Sequence, residues 1–423
     1  MSPQPATFEI QLEKLTYGGD AMGRLEDGRA VFVPFGLPGE RVRVRLIEER
    51  RGFARGEILQ ILEPASNRAQ PQCKHFGECG GCHYQHLPYE KQIQAKTEIL
   101  TDQLKRIGKI ENPPVQPMVP CPKPWYYRNH VQFSLTEDGK LGFVSSPLFV
   151  EEKQEARERV IAITECHLPE SPINDFWRQL EFEADTGIER VSLRAGQEGD
   201  LMLVLESDSP RPPELEIEAE ISVVHVYQGN TVVLAGNDYI ILRVLERDFK
   251  VSAPSFFQVN TVMAEKMVNH LLAHLPVPSS ATLLDLYCGV GLFSAFFAPK
   301  CKRVIGVESS PSACEDFSFN LDEFENVELY EGTAEEVLPG LVGQIAESPY
   351  VVVDPPRAGI ERHALDALMQ LKPHAIAYVS CDPATLARDA RRIIENGYQL
   401  KQVTPFDLFP QTYHIESISL FQP

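Results

Sequence analysis

The chain has 423 residues, enough for about three domains that each bury a hydrophobic core. Its 40 Lys and Arg against 60 Asp and Glu give a formal net charge of -20, so a nucleic-acid partner would have to bind a local basic surface. Nine cysteines are too few for a disulfide scaffold, the first residues lack a signal-peptide pattern, and no apolar run approaches the roughly 20 residues of a membrane helix. We therefore expect a cytoplasmic protein with reduced thiols and no membrane insertion.

Residues 7–63 alternate apolar and polar side chains in short runs between glycine-containing turns, which predicts a small antiparallel β-barrel. Six arginines crowd one part of this segment: Arg41, Arg43, Arg45, Arg50, Arg51 and Arg55. The first three, here called the barrel arginines, alternate with apolar residues and so share one face of a strand. With only Glu48 and Glu49 opposing them nearby, they form a candidate phosphate-binding surface. The alternative is a solvated strand face.

A polar loop after the linker at 64–72 carries the pattern C-x5-C-x2-C at Cys73, Cys79 and Cys82, and Cys166 is a distant fourth cysteine. Residues 73–82 are called the cysteine loop below. Thiolates gathered in a loop usually hold a metal where thiols stay reduced. Zinc prefers two close pairs of ligands, whereas three clustered cysteines and a remote one favour a 4Fe-4S cluster. Zinc and thiols without a metal remain alternatives, and the rival fourth ligands are Cys121, His75, His83 and His167.

The middle of the chain combines one helix with a β-rich region. Residues 88–108 predict a helix, and the proline-dense stretch at 112–124 predicts an irregular connection. From about 125 to 250, the runs NHVQFSL, ERVSLRA, LMLVLES, ISVVHVYQG and DYIILRVLE predict strands of an antiparallel-rich domain. Alternating glutamates predict one solvated face of a further strand: Glu214, Glu216, Glu218 and Glu220.

After residue 255 the pattern changes to strands that alternate with helices. The apolar runs are TLLDLYCG, RVIGVES, NVELYEG, YVVVDPP, HAIAYVS and SISLF. Near-continuous apolar strands between helical segments predict a largely parallel, doubly wound sheet.

The first strand–helix turn of this region is a candidate cofactor loop. Gly289 and Gly291 follow a buried strand and precede a helix, where open α/β sheets bind ligands. Ser294 stands where a dinucleotide fingerprint has its third glycine, so pyrophosphate binding is disfavoured. With Asp285 and with Glu308, which can accept hydrogen bonds from ribose hydroxyls, the pattern points to S-adenosylmethionine. A tight turn without a ligand is the alternative.

Cys381 follows the strand HAIAYVS, at the sheet edge where Asp354 and Glu308 also end their strands. The other cysteines of this region, Cys288, Cys301 and Cys314, are expected to be inert packing residues. Cys381 is better placed to act as a nucleophile.

Six ordered motifs resemble the TRAM-domain RNA uracil-C5 methyltransferases, which make 5-methyluridine. The motifs are SFFQVN, DLYCGVGLF, GVE, DPPRAG, SCDPATLARD and FPQTYHIESISLF, and the resemblance covers nearly the whole chain. It implies that Cys381 is the nucleophile and Glu416 the base. It also implies that Gln258, Glu308 and Asp354 line S-adenosylmethionine, and the candidate loop adds Asp285, Tyr287, Gly289 and Gly291 to the expected binding set.

The resemblance extends to the cluster and to RNA. It implies a 4Fe-4S cluster held by Cys73, Cys79, Cys82 and Cys166, and RNA contacts at Arg41, Arg43, Arg45 and Arg128. Two features depart from the family pattern: Asp382 stands where many members have Asn, and the segment at 145–163 is unusual.

The resemblance implies a multidomain α/β protein with three parts. They are a TRAM-like, OB-like β-barrel at 1–64, a β-rich iron–sulfur domain at 65–84 and 117–250, and a Rossmann-like S-adenosylmethionine-dependent methyltransferase domain at 85–116 and 251–423.

The expected function is C5 methylation of a uridine through a covalent Cys381 adduct, with 23S rRNA as the first substrate candidate and the tRNA T loop as the second. The expected form is a monomer without a membrane partner. Alternatives from other classes are a non-catalytic RNA-binding or redox-sensing iron–sulfur protein and an electron-transfer protein.

Overall fold

The computed structural model describes residues 7–146, 159–184, 186–216, 218–345 and 347–423. The chain forms two compact units. The first is Met1–Ile99, Leu141–His167 and Phe409–His414, and the second is Leu100–Lys140, Leu168–Leu408 and Ile415–Pro423. The division into three domains stays a prediction, and the unusual segment at 145–163 lies mostly outside the described residues.

The first unit begins with a closed five-stranded barrel, as the alternation over 7–63 predicts. Its strands are β1 (Thr7–Leu15), β2 (Ala21–Arg24), β3 (Ala30–Val33), β4 (Arg41–Glu49) and β5 (Phe53–Glu63). Their order is β1-β2-β3-β5-β4, and each pair is antiparallel except β3 with β5. Alternate side chains such as Ile10, Leu12, Val42 and Val44 fill the interior and are at most 2% exposed.

The rest of the first unit is built from loops, a hairpin and part of one helix. Helix α1 (Tyr89–Arg106) confirms the helix predicted at 88–108, and the division between the units falls within it. Strands β7 (Leu141–Val144) and β8 (Val160–Ala162) form an antiparallel hairpin.

The second unit contains a β-rich region whose strands run in the order β12-β11-β10-β9-β6. The elements are β6 (His130–Leu135), α2 (Ser171–Trp177), β9 (Ile188–Ala195), β10 (Leu201–Ser207), β11 (Ser222–Tyr227), β12 (Asn230–Ala235), β13 (Tyr239–Val244) and β14 (Arg247–Ser252). The five predicted strands appear as β6, β9, β10, β11 and β13, while β12 and β14 complete hairpins with β11 and β13.

The prediction of a strand at the alternating glutamates is wrong. The described residues of 208–221 belong to no strand, although the four glutamate side chains are exposed. Strands β10 and β11 are parallel, with Met202 opposite Ser222, so the chain between them must cross over from one end to the other. Three prolines in this connection, Pro210, Pro212 and Pro213, also oppose strand pairing.

The second unit ends in a seven-stranded sheet with the order β17-β16-β15-β18-β19-β21-β20. Its strands are β15 (Thr282–Leu286), β16 (Arg303–Glu308), β17 (Val327–Glu331), β18 (Tyr350–Val353), β19 (Ala375–Ser380), β20 (Gln399–Phe406) and β21 (Glu416–Gln422). Strands β15 to β19 are parallel, whereas β21 runs antiparallel to β19 and β20. The predicted doubly wound, largely parallel sheet is confirmed.

Six helices connect or precede these strands in the described part of the second unit. They are α3 (Thr261–His274), α4 (Leu292–Phe297), α5 (Pro311–Asn320), α6 (Ala334–Leu341), α7 (Arg362–Gln370) and α8 (Pro383–Glu395). Every residue of β19 is buried, as expected for a strand covered on both faces. Within the described ranges, no helix has the length and apolarity needed to cross a membrane.

Candidate active site

The carboxyl edge of the parallel strands collects the predicted site residues. Strand order reverses between β15 and β18, which creates the crevice in which open α/β sheets bind ligands. Tyr287 follows β15, Glu308 ends β16, Asp354 follows β18 and Cys381 follows β19. Glu416 reaches the same edge from the other direction because it is the first residue of antiparallel β21.

Cys381 directly follows β19, and Glu416 is the first residue of the neighbouring strand β21. The last recorded pair between the two strands is Ser380 with Ser417, and Cys381 and Glu416 are the residues immediately beyond it. Besides burial, the charge of Glu416 is one of the causes that raise the pKa of Cys381, so the two side chains are near each other. The fold therefore brings a thiol and a carboxyl group to one point of the crevice.

The surroundings of Cys381 disfavour its thiolate. Burial raises the pKa of Cys381 to about 12, and the carboxyl groups of Glu416 and Asp354 add to this effect. The guanidinium of Arg357 opposes it, whereas Asp382 contributes a further negative charge. These surroundings favour the neutral thiol over the thiolate.

The carboxyl groups of the site are also shifted toward their neutral forms. Glu416 is 3% exposed, and burial, with the nearby charge of Asp354, raises its pKa well above the ordinary value, although Arg357 opposes the shift. Burial and the charge of Asp285 raise the pKa of Asp354 to about 7. A carboxyl group with a raised pKa is a stronger base once it is ionised.

Asp382, which departs from the family pattern, caps helix α8. Its Oδ1 accepts hydrogen bonds from the Ala384 and Thr385 N–H groups, both at 2.9 Å. Asparagine carries an equivalent oxygen and caps helices about as well. The substitution therefore keeps the turn after Cys381 and changes only the charge beside the thiol.

Asp389 fixes the DPPRAG loop, a role that the sequence did not reveal. This fully buried carboxylate accepts hydrogen bonds from the Tyr378 hydroxyl and the Ile360 N–H, both at 2.9 Å, and from Arg388 Nε at 2.8 Å. Arg388 Nη2 also donates to Ala358 O at 2.8 Å. Helix α8 thus anchors the loop that carries Arg357.

A cleft of about 200 Å³ opens beside Glu308. It is lined by residues that follow four strands of the sheet, including Tyr287, Glu308, Ser309, Gly332, Thr333, Glu335, Pro356 and Glu361. Sequence reasoning found Tyr287 and Glu308 but missed the residues at 332–335, although their place after β17 could have indicated them. The lining is acidic, which suits a cationic ligand.

The loop between β15 and α4 is shaped by hydrogen bonds to two acids. Glu308 Oε2 accepts from the Gly289 N–H at 2.9 Å, and Oε1 accepts from the Ser309 N–H at 2.8 Å. Asp285 Oδ2 accepts from the Ser294 N–H at 3.0 Å and from its hydroxyl at 2.6 Å. Ser294 therefore anchors the loop at the position where a dinucleotide site would have glycine.

Buried polar atoms and tight backbone geometry characterise this candidate nucleoside loop. Asp285 is fully buried, its Oδ1 has no hydrogen-bond partner among the described residues, and burial raises its pKa to about 7. Gly289 and Gly291 have φ values of 54° and 91°, and a side chain at Gly291 would collide with Leu321. The residues present fit a ligand with hydroxyl groups and a positive charge.

Gln258 and Arg128 are linked through Asn129 in the second unit. Asn129 Nδ2 donates to Gln258 O at 3.0 Å, and the Gln258 side chain is buried. Arg128 belongs to a cationic group in which burial, followed by the charges of Arg194 and Arg128, lowers the pKa of His130 to about 3. Positive charges held close together, here Arg128 just before β6 and Arg194 on β9, can attract an anion such as phosphate.

The cysteine loop contacts the segment that carries Cys166 within the first unit. The Lys74 N–H donates to Glu165 Oε1 at 2.8 Å, and the Thr164 N–H donates to His75 Nε2 at 3.0 Å. Contacts on both sides hold the remote segment against the loop.

The four candidate cluster cysteines share this unit, but their arrangement is incomplete as a metal site. Burial raises the pKa of Cys79 to about 11, and the electrostatic influence of Cys166 and Cys73 adds to the shift. The Gly81 N–H donates to Cys79 Sγ at 3.3 Å, as is common for metal-bound sulfur. However, the described residues contain no group of three or more His, Cys, Asp or Glu side chains that could hold a metal ion. All nine cysteines are described, and none forms a disulfide.

The rival fourth ligands have other surroundings. Cys121 lies in the second unit, where its Sγ donates to Lys123 O at 3.1 Å. The His83 ring lies 4.6 Å from that of Tyr413, and burial lowers the pKa of His83 to about 4. His167 Nε2 lies 3.6 Å from a carboxylate oxygen of Glu165.

The barrel arginines share one face of β4, but acidic residues of the neighbouring strands neutralise them. Arg41 pairs with Glu9 at 2.9 Å and Glu63 at 2.6 Å, Arg43 with Glu9 at 3.0 Å, and Arg45 with Glu57 at 2.6 Å. The expectation that only Glu48 and Glu49 oppose them is wrong, because cross-strand partners are distant in sequence.

Comparison with known proteins identifies the family. The tRNA (Uracil-5-)-methyltransferase family model matches residues 214–422, and the TRAM domain model matches residues 6–59. An uncharacterized RNA methyltransferase of Halalkalibacterium halodurans is 34% identical over 98% of this chain and 96% of its own length. One of Aquifex aeolicus is 34% identical over 98% of both chains.

A solved structure has the same fold over almost the whole chain. It is Pyrococcus abyssi tRNA (uracil-54, C5)-methyltransferase in complex with S-adenosyl-L-homocysteine, with a TM-score of 0.71 and 24% identity. The match covers 98% of this chain and 99% of that one. The fold and family expected from the six motifs are confirmed. This chain belongs to the tRNA (uracil-5-)-methyltransferase family of RNA methyltransferases and contains a TRAM domain.

Proposed function

We propose that this protein methylates C5 of a uridine in RNA, with S-adenosylmethionine as the methyl donor and Cys381 as a covalent nucleophile. The observation that carries the proposal is the placement of Cys381 near Glu416 at the carboxyl edge of the sheet, just beyond the pair of Ser380 with Ser417. A nucleophile and a base at one point are what this substitution needs, because C5 of uracil is a weak nucleophile.

Cys381 begins the reaction. Its thiolate attacks C6 of the uracil ring, so that the new S–C6 bond places the displaced electron pair at C5 and the C4 oxygen. S-adenosylmethionine, when bound in the cleft beside Glu308, supplies a methyl group that C5 takes as the sulfonium bond breaks. The target base must leave its stack to reach Cys381 within the crevice.

Glu416 completes the reaction. After methylation C5 carries both the methyl group and its original hydrogen, and the Glu416 carboxylate removes that hydrogen as a proton. The electrons of the C5–H bond form the C5–C6 double bond, and the electrons of the S–C6 bond return to sulfur. The raised pKa of Glu416 favours this transfer, because the carboxylate is a strong base in its buried position.

The residues around the cleft support the choice of methyl donor. The cleft beside Glu308 is acidic, and Asp285 offers a buried carboxyl oxygen close to it. A sulfonium compound carries a positive charge that these acids can stabilise, and its ribose offers hydroxyl groups to Glu308. Gln258, Tyr287, Gly289, Gly291 and Asp354 complete the proposed binding set.

The proposed substrate is 23S rRNA, because the cysteine loop and the barrel resemble the branch of the family that modifies ribosomal RNA. The T loop of tRNA is the second candidate, and the name of the matching family model favours it. The TRAM barrel and the cationic group around Arg128 are the proposed RNA contacts. Methylation assays on each purified RNA, with the modified nucleotide mapped, decide between the substrates.

We also propose that Cys73, Cys79, Cys82 and Cys166 hold a 4Fe-4S cluster and that the protein acts in the cytoplasm as a monomer. The shared unit, the contacts between the two cysteine-bearing segments and the N–H donor to Cys79 support the ligand set. Iron and sulfide analysis of anaerobically purified protein tests it. About four irons and four sulfides per chain would support the cluster, whereas one zinc per chain would indicate a zinc site instead.

Trapping with RNA that contains 5-fluorouridine tests the covalent mechanism. Fluorine at C5 cannot be removed as a cation, so the methylated adduct should persist on Cys381 and survive denaturation. Digestion and mass spectrometry should find the modified nucleotide on the peptide that contains Cys381. An adduct on another residue, or unchanged methylation by a Cys381→Ser variant, would refute the mechanism.

A further inference from the structure

The connection that delivers Glu416 is held by residues remote in sequence. It joins β20 to β21, and its residues Phe409–His414 belong to the first unit, whereas both strands belong to the second. Glu416 follows this segment after a single intervening residue, Ile415. The segment therefore leads the chain into β21.

A buried pair of glutamine side chains fastens this segment to helix α1. Gln92 Nε2 donates to Gln411 Oε1 at 2.9 Å, and the Gln411 N–H donates to Gln92 Oε1 at 3.0 Å. The two residues are 1% and 2% exposed. Gln92 Nε2 also contacts Tyr84 O at 3.1 Å and Leu87 O at 2.9 Å, so this amide has little freedom to rotate.

Further contacts hold the same segment from other sides. Lys96, one helical turn after Gln92 and fully buried, donates from Nζ to Phe409 O at 3.0 Å. The N–H groups of His83 and Tyr84, which follow the cysteine loop, donate to Gln411 O at 2.8 and 3.0 Å. Gln411 has a φ of 69°, a left-handed conformation that a residue other than glycine keeps only when its surroundings impose it.

We propose that Gln92 and Gln411 are positioning residues for the proton-abstraction step, an inference that rests on the proposed role of Glu416. Burying one amide of a hydrogen-bonded pair without its partner is costly, so loss of either side chain forces the segment to rearrange. The rearrangement displaces Glu416 but not Cys381, which is held by β19 and α8. Because Glu416 acts after methyl transfer, its displacement should slow only proton abstraction and the product release that follows.

The experiment compares Gln92→Leu with wild type in steady-state methylation of unmodified RNA. We expect the variant to lower kcat about 100-fold, as a displacement near 1 Å does, with the RNA KM changed less than about threefold. During turnover, denaturing gels should show accumulation of the covalent protein–RNA adduct, because its formation continues while its elimination is slow. Glu416→Gln should show the same accumulation.

Two controls separate positioning from general damage. Trapping on 5-fluorouridine RNA requires only the steps before proton abstraction, so Gln92→Leu should form that adduct at the wild-type rate. Gln94→Leu makes the same chemical change on the exposed face of α1, where Gln94 Nε2 donates to Glu98 at 2.8 Å and Gln94 Oε1 accepts from Lys91 Nζ at 2.9 Å, and should behave as wild type. If Gln92→Leu does not form the fluorouridine adduct, Lys96→Met, which removes the bond to Phe409 O, is judged by the same criteria.

The outcomes distinguish this inference from the function on which it rests. If Glu416→Gln accumulates adduct but Gln92→Leu turns over normally, or loses turnover without adduct, the positioning role is wrong and the proposed base stands. If Glu416→Gln accumulates none, the proposed base fails and the positioning role falls with it. Accumulation in both variants, with normal fluorouridine trapping, supports the inference.

Discussion

Alkylation of Cys381 should follow an unusual pH profile. Only the thiolate reacts, and with a pKa of about 12 roughly 10⁻⁴ of the thiol is ionised at pH 8, against about a quarter of an ordinary cysteine. The rate with iodoacetamide should therefore be about 10³-fold lower than for a model thiol at pH 8. It should still rise nearly tenfold per pH unit at pH 10, where a model thiol has reached its plateau.

The shape of the pH–rate profile distinguishes a raised pKa of Cys381 from restricted access of the reagent to its thiol. Restricted access lowers the rate equally at every pH, whereas a raised pKa moves the midpoint. Rates are measured by mass spectrometry of the peptide that contains Cys381, with glutathione as the reference thiol. A plateau of the Cys381 rate at pH 9 would refute the reasoning, whatever its absolute value.

Charge changes should move the same midpoint in opposite directions. Arg357→Gln removes the positive charge that opposes the shift and should raise the midpoint, while Glu416→Gln removes a negative charge and should lower it. S-adenosylmethionine should also lower the midpoint, because its positive charge would act on a series of neighbouring acids. In addition to burial, the charge of Glu308 raises the pKa of Asp285, that of Asp285 raises the pKa of Asp354, and that of Asp354 raises the pKa of Cys381. S-adenosylhomocysteine lacks the sulfonium charge and is the matched control. Equal effects of the two ligands would mean that access or shape dominates.

Three further results are expected. Asp389→Asn should lower the free energy of unfolding, measured by urea denaturation, by about 2–4 kcal/mol because it weakens several charge-assisted hydrogen bonds. Tyr378→Phe removes one of these bonds and should lower it by about 1 kcal/mol. Equal losses of stability in the two variants would contradict this ranking. Asp382→Ala should cost about 1 kcal/mol through loss of the cap, whereas Asp382→Asn should preserve stability and lower the alkylation midpoint of Cys381. Reversing the barrel arginines to glutamate should weaken RNA binding and its salt dependence; unchanged affinity in filter binding would place the contact elsewhere.

The sequence alone predicted which residues the parallel strands bring to the carboxyl edge of the sheet. Apolar runs that end in Glu308, Asp354 and Cys381 mark strands whose carboxyl ends must meet at one edge when the strands are parallel. No long-range information is needed for that step, because each strand carries its own functional residue at its end. The proposed roles of these residues remain predictions that the trapping and alkylation experiments test.

Contacts between segments that are remote in sequence could not be predicted from local sequence patterns. Counting charges along β4 left the barrel arginines nearly unopposed, yet Glu9 and Glu57 come from adjacent strands of the closed barrel. Likewise, nothing near Asp389 in the sequence indicates that it receives the Tyr378 hydroxyl and the Ile360 N–H. Such contacts depend on which elements become neighbours, and local periodicity does not specify neighbours.

Strand direction is the feature that connects fold to chemistry at this site. An apolar run such as SISLF predicts a strand but carries no sign of its direction. Had β21 been parallel to β19, its first residue would lie at the amino edge, a strand length of roughly 20 Å from Cys381. Because β21 is antiparallel, it begins where β19 ends, and Glu416 lies at the same edge of the sheet as Cys381. The segment at 409–414, which Gln92 fastens through Gln411, leads into this strand, and the proposed positioning role concerns that entry.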